Sequence, residues 1–188
     1  VMVARGDLAV EIGGARVPAV QKQLIDLANK AHKPVITATQ MMESMITNRV
    51  PTRAEVFDGA NAVIEGTDSV MLSSETAMGD HPVEAVEAMS RICEGSEGQN
   101  PLTMKGSNYS IENKKVDRAI AMACMLTADN LNPKAIAAIT ESGSTAQWMS
   151  RINHSVPIFA LTTHTRTLRK VTLYRGVYPA RIKTIDTN

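Results

Sequence analysis

The 188-residue sequence is poor in aromatic side chains: Phe, Tyr and Trp make up 3% of it, with a single tryptophan. Its charge is almost balanced, with 20 basic residues against 19 acidic ones for a net +1. Lacking both stacking platforms and a basic surface, the chain has no footprint of a nucleic-acid binder. No apolar run approaches the roughly 18 residues that a bilayer crossing requires, which argues against a membrane span. Cysteine is scarce as well. Cys93 and Cys124 fall among apolar positions of predicted helices, a setting that fits reduced core thiols better than a disulfide and points to a cytoplasmic protein. His32, His81, His154 and His164 stand at predicted element ends without metal-ligand spacing and read as surface residues. The sequence opens inside an apolar run and not on methionine, so it is expected to belong to a longer chain.

What the sequence does contain is a repeated alternation of short apolar runs and helical patterns. Val1 to Ala4 suits a strand buried on both faces, as in a parallel sheet, and stops abruptly at Arg5, Gly6 and Asp7. Ligands collect beyond the carboxyl ends of such strands, so Gly6 and Asp7 are a candidate site, with a plain turn and a local cap as the alternative. Arg5-Gly6-Asp7 also spells an adhesion tripeptide, but behind a buried strand it is not expected at a loop tip. Val17, Val20, Leu24, Leu27, Ala28 and Ala31 then share one helical face, bounded by Gly13, Gly14 and Pro18. The run PVITATQM follows as a second strand and ends in Thr39, Gln40 and Met41; Thr39 taken alone is simply a good strand former. Met41 to Met45 reads as adaptable packing.

The third unit repeats the plan. Thr52 and Glu55 form a capping box ahead of a helix carrying Ala54, Val56, Phe57, Ala60, Val63 and Ile64 up to Gly66. SVMLSSE is a short strand ending in Ser73, Ser74 and Glu75, and Pro82 opens a helix with Val83, Val86, Met89 and Cys93 predicted on its buried face. Strand starts near Val1, Pro34 and Asp68 recur every 33 residues or so, about one βα unit of a (β/α)₈ barrel. Three units cannot close a barrel and leave a sheet edge.

The composition changes at GSEGQNPLTMKGSNYS, which reads as a linker. Beyond it a helix with Val116, Ala119, Ile120, Ala123 and Leu126 precedes three strands, AIAAIT, PIFALT and VYPARI, roughly 22 residues apart. Helices with Trp148, Met149 and Ile152, and with Leu168, Val171 and Tyr174, separate them. The expected architecture is α/β: a partial (β/α)₈ barrel of three βα units over residues 1–98, a crossing segment at 99–115, and a small open α/β domain with a mainly parallel sheet over 116–188. At the end of AIAAIT stands TESGST. Its hydroxyls, Gly143 and the free N–H groups of a helix start make either an anion cradle or an ordinary loop capped by Ser144 or Thr145.

The strings VMVARGDLAVEIG, VITATQMMESM, PTRAE, NAVIEGTDSVMLSSETAMGDHPVEAV and LYRG resemble the pyruvate kinase family over essentially the whole chain. The resemblance implies phosphoryl transfer between phosphoenolpyruvate and ADP to give pyruvate and ATP, with Mg²⁺ (or Mn²⁺) and K⁺ as cofactors and a homotetramer when full length. It assigns Asp7 to the divalent metal, and Gly6 to the substrate carboxylate through its backbone N–H. Thr39 falls on the substrate-contacting threonine near the carbon that is protonated. Ser73 and Glu75 fall in the surrounding hydrogen-bond network; Arg53 matches a subunit contact of relatives, with a plain surface position as its default reading. The family's other metal-binding carboxylate, its strand-end lysine and its K⁺ ligands have no counterpart after Val1, so the chain alone is expected to show no turnover.

TESGST, with Thr140, Ser142, Gly143, Ser144 and Thr145, resembles the family's regulatory sugar-phosphate loop. Here the sequence departs from the pattern: Glu141 stands where many fructose-bisphosphate-activated relatives have Lys, and Ser144 where Arg is frequent. A carboxylate about 5 Å from a phosphate, at an effective dielectric of about 20, costs on the order of 3 kcal/mol. A phosphorylated effector other than fructose bisphosphate is therefore expected. Ala9 and Ser74 also differ from the pattern without touching a charged group. The alternative function is a non-catalytic phospholigand-binding or assembly role.

Overall fold

The computed structural model describes residues 1–97, 116–152 and 156–183, and the chain divides into two compact units, Val1–Asn100 and Pro101–Asn188. The expected crossing segment at 99–115, and His154, lie outside the described residues.

The first unit is built on three short parallel strands, β1 (Met2–Ala4), β2 (Ile36–Ala38) and β3 (Ser69–Met71), in the order β1-β2-β3. Their register aligns Ala4 with Ala38 and Ala38 with Met71, so all three carboxyl ends stop at one level. The chain then turns into helices: α1 (Arg5–Ile12) and α2 (Val17–Lys30) after β1, α3 (Arg53–Ile64) after β2, α4 (Ser74–Ala77) and α5 (Pro82–Glu97) after β3. A 3₁₀ turn at Glu43–Ile46 follows β2. Helix α3 begins on the predicted capping box, with the Glu55 N–H donating to the Thr52 hydroxyl and the Glu55 carboxylate accepting from the Thr52 N–H.

Five expectations are corrected here. Arg5, Gly6 and Asp7 open a helix at once and make no turn: Ala4 is the extended N-cap, and Asp7 sits in the first turn, where the helix dipole favours a carboxylate. Val3 alone of the opening run is buried, against Ile25, Ala28 and Val35, while Val1 and Met2 are exposed because no described element packs on their side. In α2 the innermost positions are Gln21, Ile25 and Ala28, and Leu27 faces solvent. The Gln21 amide is accommodated because Glu65 accepts its proton at 2.9 Å. In α5, Val83 and Val86 are exposed, and Ala85, Ala88, Met89 and Ser96 turn inward. Helix α3 comes close to α5 at Gly59, where an added Cβ would stand 3.2 Å from Ile92 and 3.5 Å from the Met89 sulfur, so α3 must be small where these two larger side chains meet it. Met41, Met42 and Met45 are fully buried in this core, as their adaptability suggests. His32 is no simple surface residue, since both its ring nitrogens are shielded from solvent.

The second unit has the same logic with longer strands. β4 (Ile136–Ile139), β5 (Ile158–Thr162) and β6 (Val177–Arg181) form a parallel sheet in that order, with α6 (Val116–Leu131), α7 (Ser144–Ser150) and α8 (Thr165–Val171) between and before them. Ile136, Ala138, Ile158, Ala160 and Val177 are buried, while Ile139, Phe159 and Tyr178 alternate onto the exposed face. In α6 the inward positions differ from the residues that mark it as a helix in the sequence. Ala121, Met125 and Ala128 are buried, and Val116, Ile120 and Leu126 are exposed, because an alanine-bearing stripe lets a neighbouring helix, here α7, come close. Neither Cys93 nor Cys124 is in a disulfide. No helix of the described residues is long and apolar enough to cross a membrane.

Candidate active site

Because the three strands of the first unit end level, the residues that follow them converge. Gly6 and Asp7 from the start of α1, Thr39 and Gln40 from the end of β2, and Ser73, Ser74 and Glu75 from the end of β3 line one cleft of ≈ 300 Å³, with Glu43 at its side. The sequence-predicted residues Gly6, Asp7, Thr39 and Ser73 are thus brought together from positions up to 67 apart. Asp7 is exposed, and no hydrogen bond or ion pair from the described residues engages its carboxylate. The Gly6 N–H donates to the Thr39 hydroxyl at 3.1 Å, which ties the first strand end to the second.

Thr39 does not end the strand as a strand residue. It has φ 69° and Gln40 has φ 52°, so two consecutive side-chain-bearing residues occupy left-handed backbone. For a β-branched residue this is a strained conformation that surrounding contacts must hold. Holding it falls to Arg5, which is buried at 8% exposure: its guanidinium donates to the carbonyls of Thr39 and Gln40 and pairs with Asp58 on α3.

Glu75 is the other buried charge, at 1% exposure. One carboxylate oxygen accepts the Met42 N–H at 3.1 Å and the other the Ser73 N–H at 2.9 Å, so Glu75 staples the second strand end to the third. A buried carboxylate is tolerable only with such donors. Glu55 serves a similar purpose at the far side of the 3₁₀ turn. Partial burial raises its pKa, but hydrogen bonds from the Ser44 hydroxyl and N–H, then from Thr52, outweigh burial and hold it below the usual carboxylate value.

Sequence reasoning named Arg5 and Gln40 at strand ends without giving either a part in the site, and missed Glu43. Arg5 carried a signal, an arginine set directly behind a buried apolar strand, where a charge must find partners; Asp58, 53 residues away, carried none. Among the described residues no group of three or more His, Cys, Asp or Glu side chains is placed to hold a metal.

The residues predicted to bind an effector lie together in the loop between β4 and α7. Gly143, at φ 84°, is the N-cap and takes the place of the hydroxyl cap considered above. Its N–H donates to the Thr140 hydroxyl at 2.9 Å, which turns the buried Thr140 into the loop. The Ser142 and Ser144 hydroxyls bond each other at 2.8 Å, and Lys170 from α8 donates to the Ser142 carbonyl at 3.1 Å. Thr145 is the second residue of α7, and the Glu141 side chain is exposed, with its carbonyl accepting from Thr167.

Two family profiles match the chain: "Pyruvate kinase, barrel domain" over residues 1–86 and "Pyruvate kinase, alpha/beta domain" over residues 118–188. Among curated proteins the chain is 53% identical to pyruvate kinase II of Salmonella typhimurium and 47% identical to a pyruvate kinase of Haemophilus influenzae, in each case over 95% of this chain and 38% of the relative. A solved pyruvate kinase from Cryptosporidium parvum is similar with a TM-score of 0.89 and 41% identity, covering 98% of this chain and 38% of that one. The chain thus spans less than two-fifths of the length of these relatives.

Proposed function

Since the chain belongs to the pyruvate kinase family, we propose that its strand-end cleft is one part of an active site that passes a phosphoryl group between phosphoenolpyruvate and ADP, giving pyruvate and ATP. The single observation that carries this reading is the meeting of Asp7, Gly6 and Thr39 in one solvent-open cleft at the level carboxyl ends of three parallel strands. In this reading the first unit supplies three βα units of a (β/α)₈ barrel. Asp7 holds Mg²⁺ (or Mn²⁺) with one carboxylate, and substrate oxygens and water complete the shell. The metal, when bound, neutralises charge on the transferred group.

The chain's own residues do the positioning. The Gly6 N–H, at the opening of α1, donates to the Thr39 hydroxyl; a substrate carboxylate would take over that donor and free the Thr39 hydroxyl to stand beside the carbon that takes up a proton. Ser73 is kept at the cleft wall by Glu75. K⁺ belongs to the reading through the family alone. A cytoplasmic homotetramer likewise belongs to the reading through the family, and two cysteines outside any disulfide fit that compartment.

The test is metal-dependent binding of a phosphoenolpyruvate analogue, measured by calorimetry on the full-length protein, on its Asp7→Asn variant and on this 188-residue chain. Binding that requires Mg²⁺ in the full-length protein and is lost in the variant supports the reading; binding indifferent to metal and to Asp7 refutes it. With one carboxylate for the metal, the chain by itself is expected to form no ATP. A phosphoenolpyruvate-dependent ATP signal from the chain would overturn that expectation.

For the second unit the reading is a regulatory phosphate site at Thr140, Ser142, Gly143, Ser144 and Thr145. It is supported by the paired exposed hydroxyls and by the Lys170 ammonium at the loop. Glu141 is exposed, so solvent screening removes most of its repulsion of a phosphate. What sets the loop apart from the bisphosphate-binding pattern is then Ser144, standing where Arg is frequent, and a phosphorylated effector other than fructose bisphosphate is expected. Titrating the full-length enzyme with a sugar monophosphate and with fructose bisphosphate decides between them, and stronger activation by the bisphosphate rejects the assignment.

A further inference from the structure

Thr39 and Gln40 are held in a conformation that neither residue adopts readily. Among the described residues four non-glycine residues have left-handed backbone, His32, Thr39, Gln40 and Asn132, and the only adjacent pair of these lies in the cleft. Every nitrogen of the Arg5 guanidinium is committed around that pair. Nε and Nη2 donate to the Thr39 carbonyl at 3.1 and 2.8 Å, and Nη2 also donates to the Gln40 carbonyl at 2.8 Å. Nη1 donates to both oxygens of Asp58 at 2.7 and 2.6 Å. The next residue along, Gly6, grips the Thr39 hydroxyl with its N–H. One dipeptide therefore holds Thr39 at both its carbonyl and its hydroxyl.

We propose that Arg5, anchored by Asp58, is a positioning residue that pins the left-handed Thr39–Gln40 backbone and so aims the Thr39 hydroxyl into the cleft. Two carbonyls pointing the same way repel each other, and in left-handed backbone both turn toward a single spot. A planar cation with fixed, divergent donors neutralises that spot and chelates both oxygens. A lysine supplies the charge but only a compact, strongly hydrated head, and it cannot span two carbonyls and a carboxylate at once. Asp58 fixes the far edge of the fork from α3, so the third element after the sheet takes part in the geometry of the second strand end. The arrangement touches no reacting atom itself. It acts on the chemical step through Thr39, and in that respect it rests on the reading of the cleft given above.

The test uses the full-length protein with Arg5→Lys, Arg5→Ala, Asp58→Asn and Thr39→Val, each checked for a native circular-dichroism spectrum. Arg5→Lys is expected to lower kcat by about a hundredfold, the usual cost of a reactive group displaced by an ångström. KM for phosphoenolpyruvate is expected to move by less than about threefold, because ground-state binding does not use Thr39 alone. Asp58→Asn keeps the fork but loosens its anchor and is expected to fall by about tenfold. Guanidinium ion at millimolar concentration is expected to restore part of the kcat of Arg5→Ala, and to leave Thr39→Val unchanged.

A wild-type kcat in Arg5→Lys overturns the proposal. So does a structure of that variant in which Thr39 and Gln40 keep their left-handed φ, or a loss in Arg5→Ala that guanidinium does not relieve. If Arg5→Ala does not fold, Arg5→Lys and Asp58→Asn carry the decision. Full turnover in both Asp7→Asn and Thr39→Val would reject the reading of the cleft itself. Loss in those two together with full activity in Arg5→Lys would reject only the positioning role.

Discussion

The two polar sites of this chain both lie at the carboxyl ends of parallel strands and are held in different ways. One is a single loop; the other draws its Gly, Thr and Ser from three separate strand ends. In the loop at 140–145 the side-chain hydroxyls bond within a span of three residues, Thr140 to Gly143 and Ser142 to Ser144. Its distant ties, from Thr167 and Lys170, go to backbone carbonyls and leave the hydroxyls alone. At the cleft of the first unit the working groups themselves are held from afar: the Thr39 hydroxyl by Gly6, the Thr39 and Gln40 carbonyls by Arg5, and the Met42 N–H by Glu75. A locally closed loop keeps its shape when its surroundings change, whereas a cleft assembled from three strand ends has no shape apart from the fold that aligns them.

That contrast can be broken most directly at Glu75. Replacing it with Ala leaves two buried N–H groups unpaired, those of Met42 and Ser73, and empties a fully enclosed volume. The expected cost is about 3–4 kcal/mol of unfolding free energy, read from the urea midpoint. Glu75→Gln, which keeps one acceptor oxygen, is expected to cost clearly less. Equal losses would mean that the staple is packing and not hydrogen bonding.

A smaller effect is expected in the second loop from Gly143→Ala. The residue sits at φ 84°, and an added Cβ would stand 2.9 Å from Val171, so the substitution meets both backbone strain and a clash with α8. About 2 kcal/mol is expected, measured in the same denaturant series. Because this loop is locally closed, the loss should fall on the second unit, with hydrogen exchange of the first unit unaltered. Exchange that quickens around Thr39 as well would erase the distinction drawn between the two regions.

The smallest effect concerns pH. Glu55 has its folded pKa held below the ordinary value of 4.5 by Ser44 and Thr52 against the opposing pull of burial. A depressed carboxylate contributes stability that is fully present above its unfolded pKa and is lost as pH falls through the folded one. The contribution of Glu55 is thus expected intact at neutral pH and to disappear below about pH 4.5. Comparing the midpoints of wild type and Glu55→Gln across that range checks it, and parallel curves would show that the Ser44 and Thr52 bonds do not depend on the charge.

Strand positions, the capping box, the methionine packing and the polar strand ends were legible because each rests on period, propensity or a short fixed spacing. Which face of a helix turns inward was not. The eye follows Val83, Val86, Val116 and Ile120, yet the buried stripes carry Ala85, Ala88, Ala121 and Ala128. Hydrophobicity ranks transfer from water, whereas the contact of two helices is set by how closely their backbones can approach, and Gly59 against Met89 and Ile92 is one such approach. Helix α1 was missed because Gly6 and Asp7 favour turns in isolation, and only the strand before them, ending at Ala4, commits Arg5 to helical backbone.

By itself, the sequence determined that the chain is α/β with parallel sheets, that it carries Asp7, Thr39 and Ser73 at strand ends, and that its family is pyruvate kinase, since these depend on local pattern and on long specific strings of residues. Tertiary structure alone decided that Arg5 reaches Asp58, that Thr39 and Gln40 turn left-handed, and that Glu75 joins two strand ends from a buried position. The reason lies in distance along the chain. A hydrogen bond across 33 or 53 residues is made only after the sheet has set its register, and no spacing rule read from the sequence reaches that far.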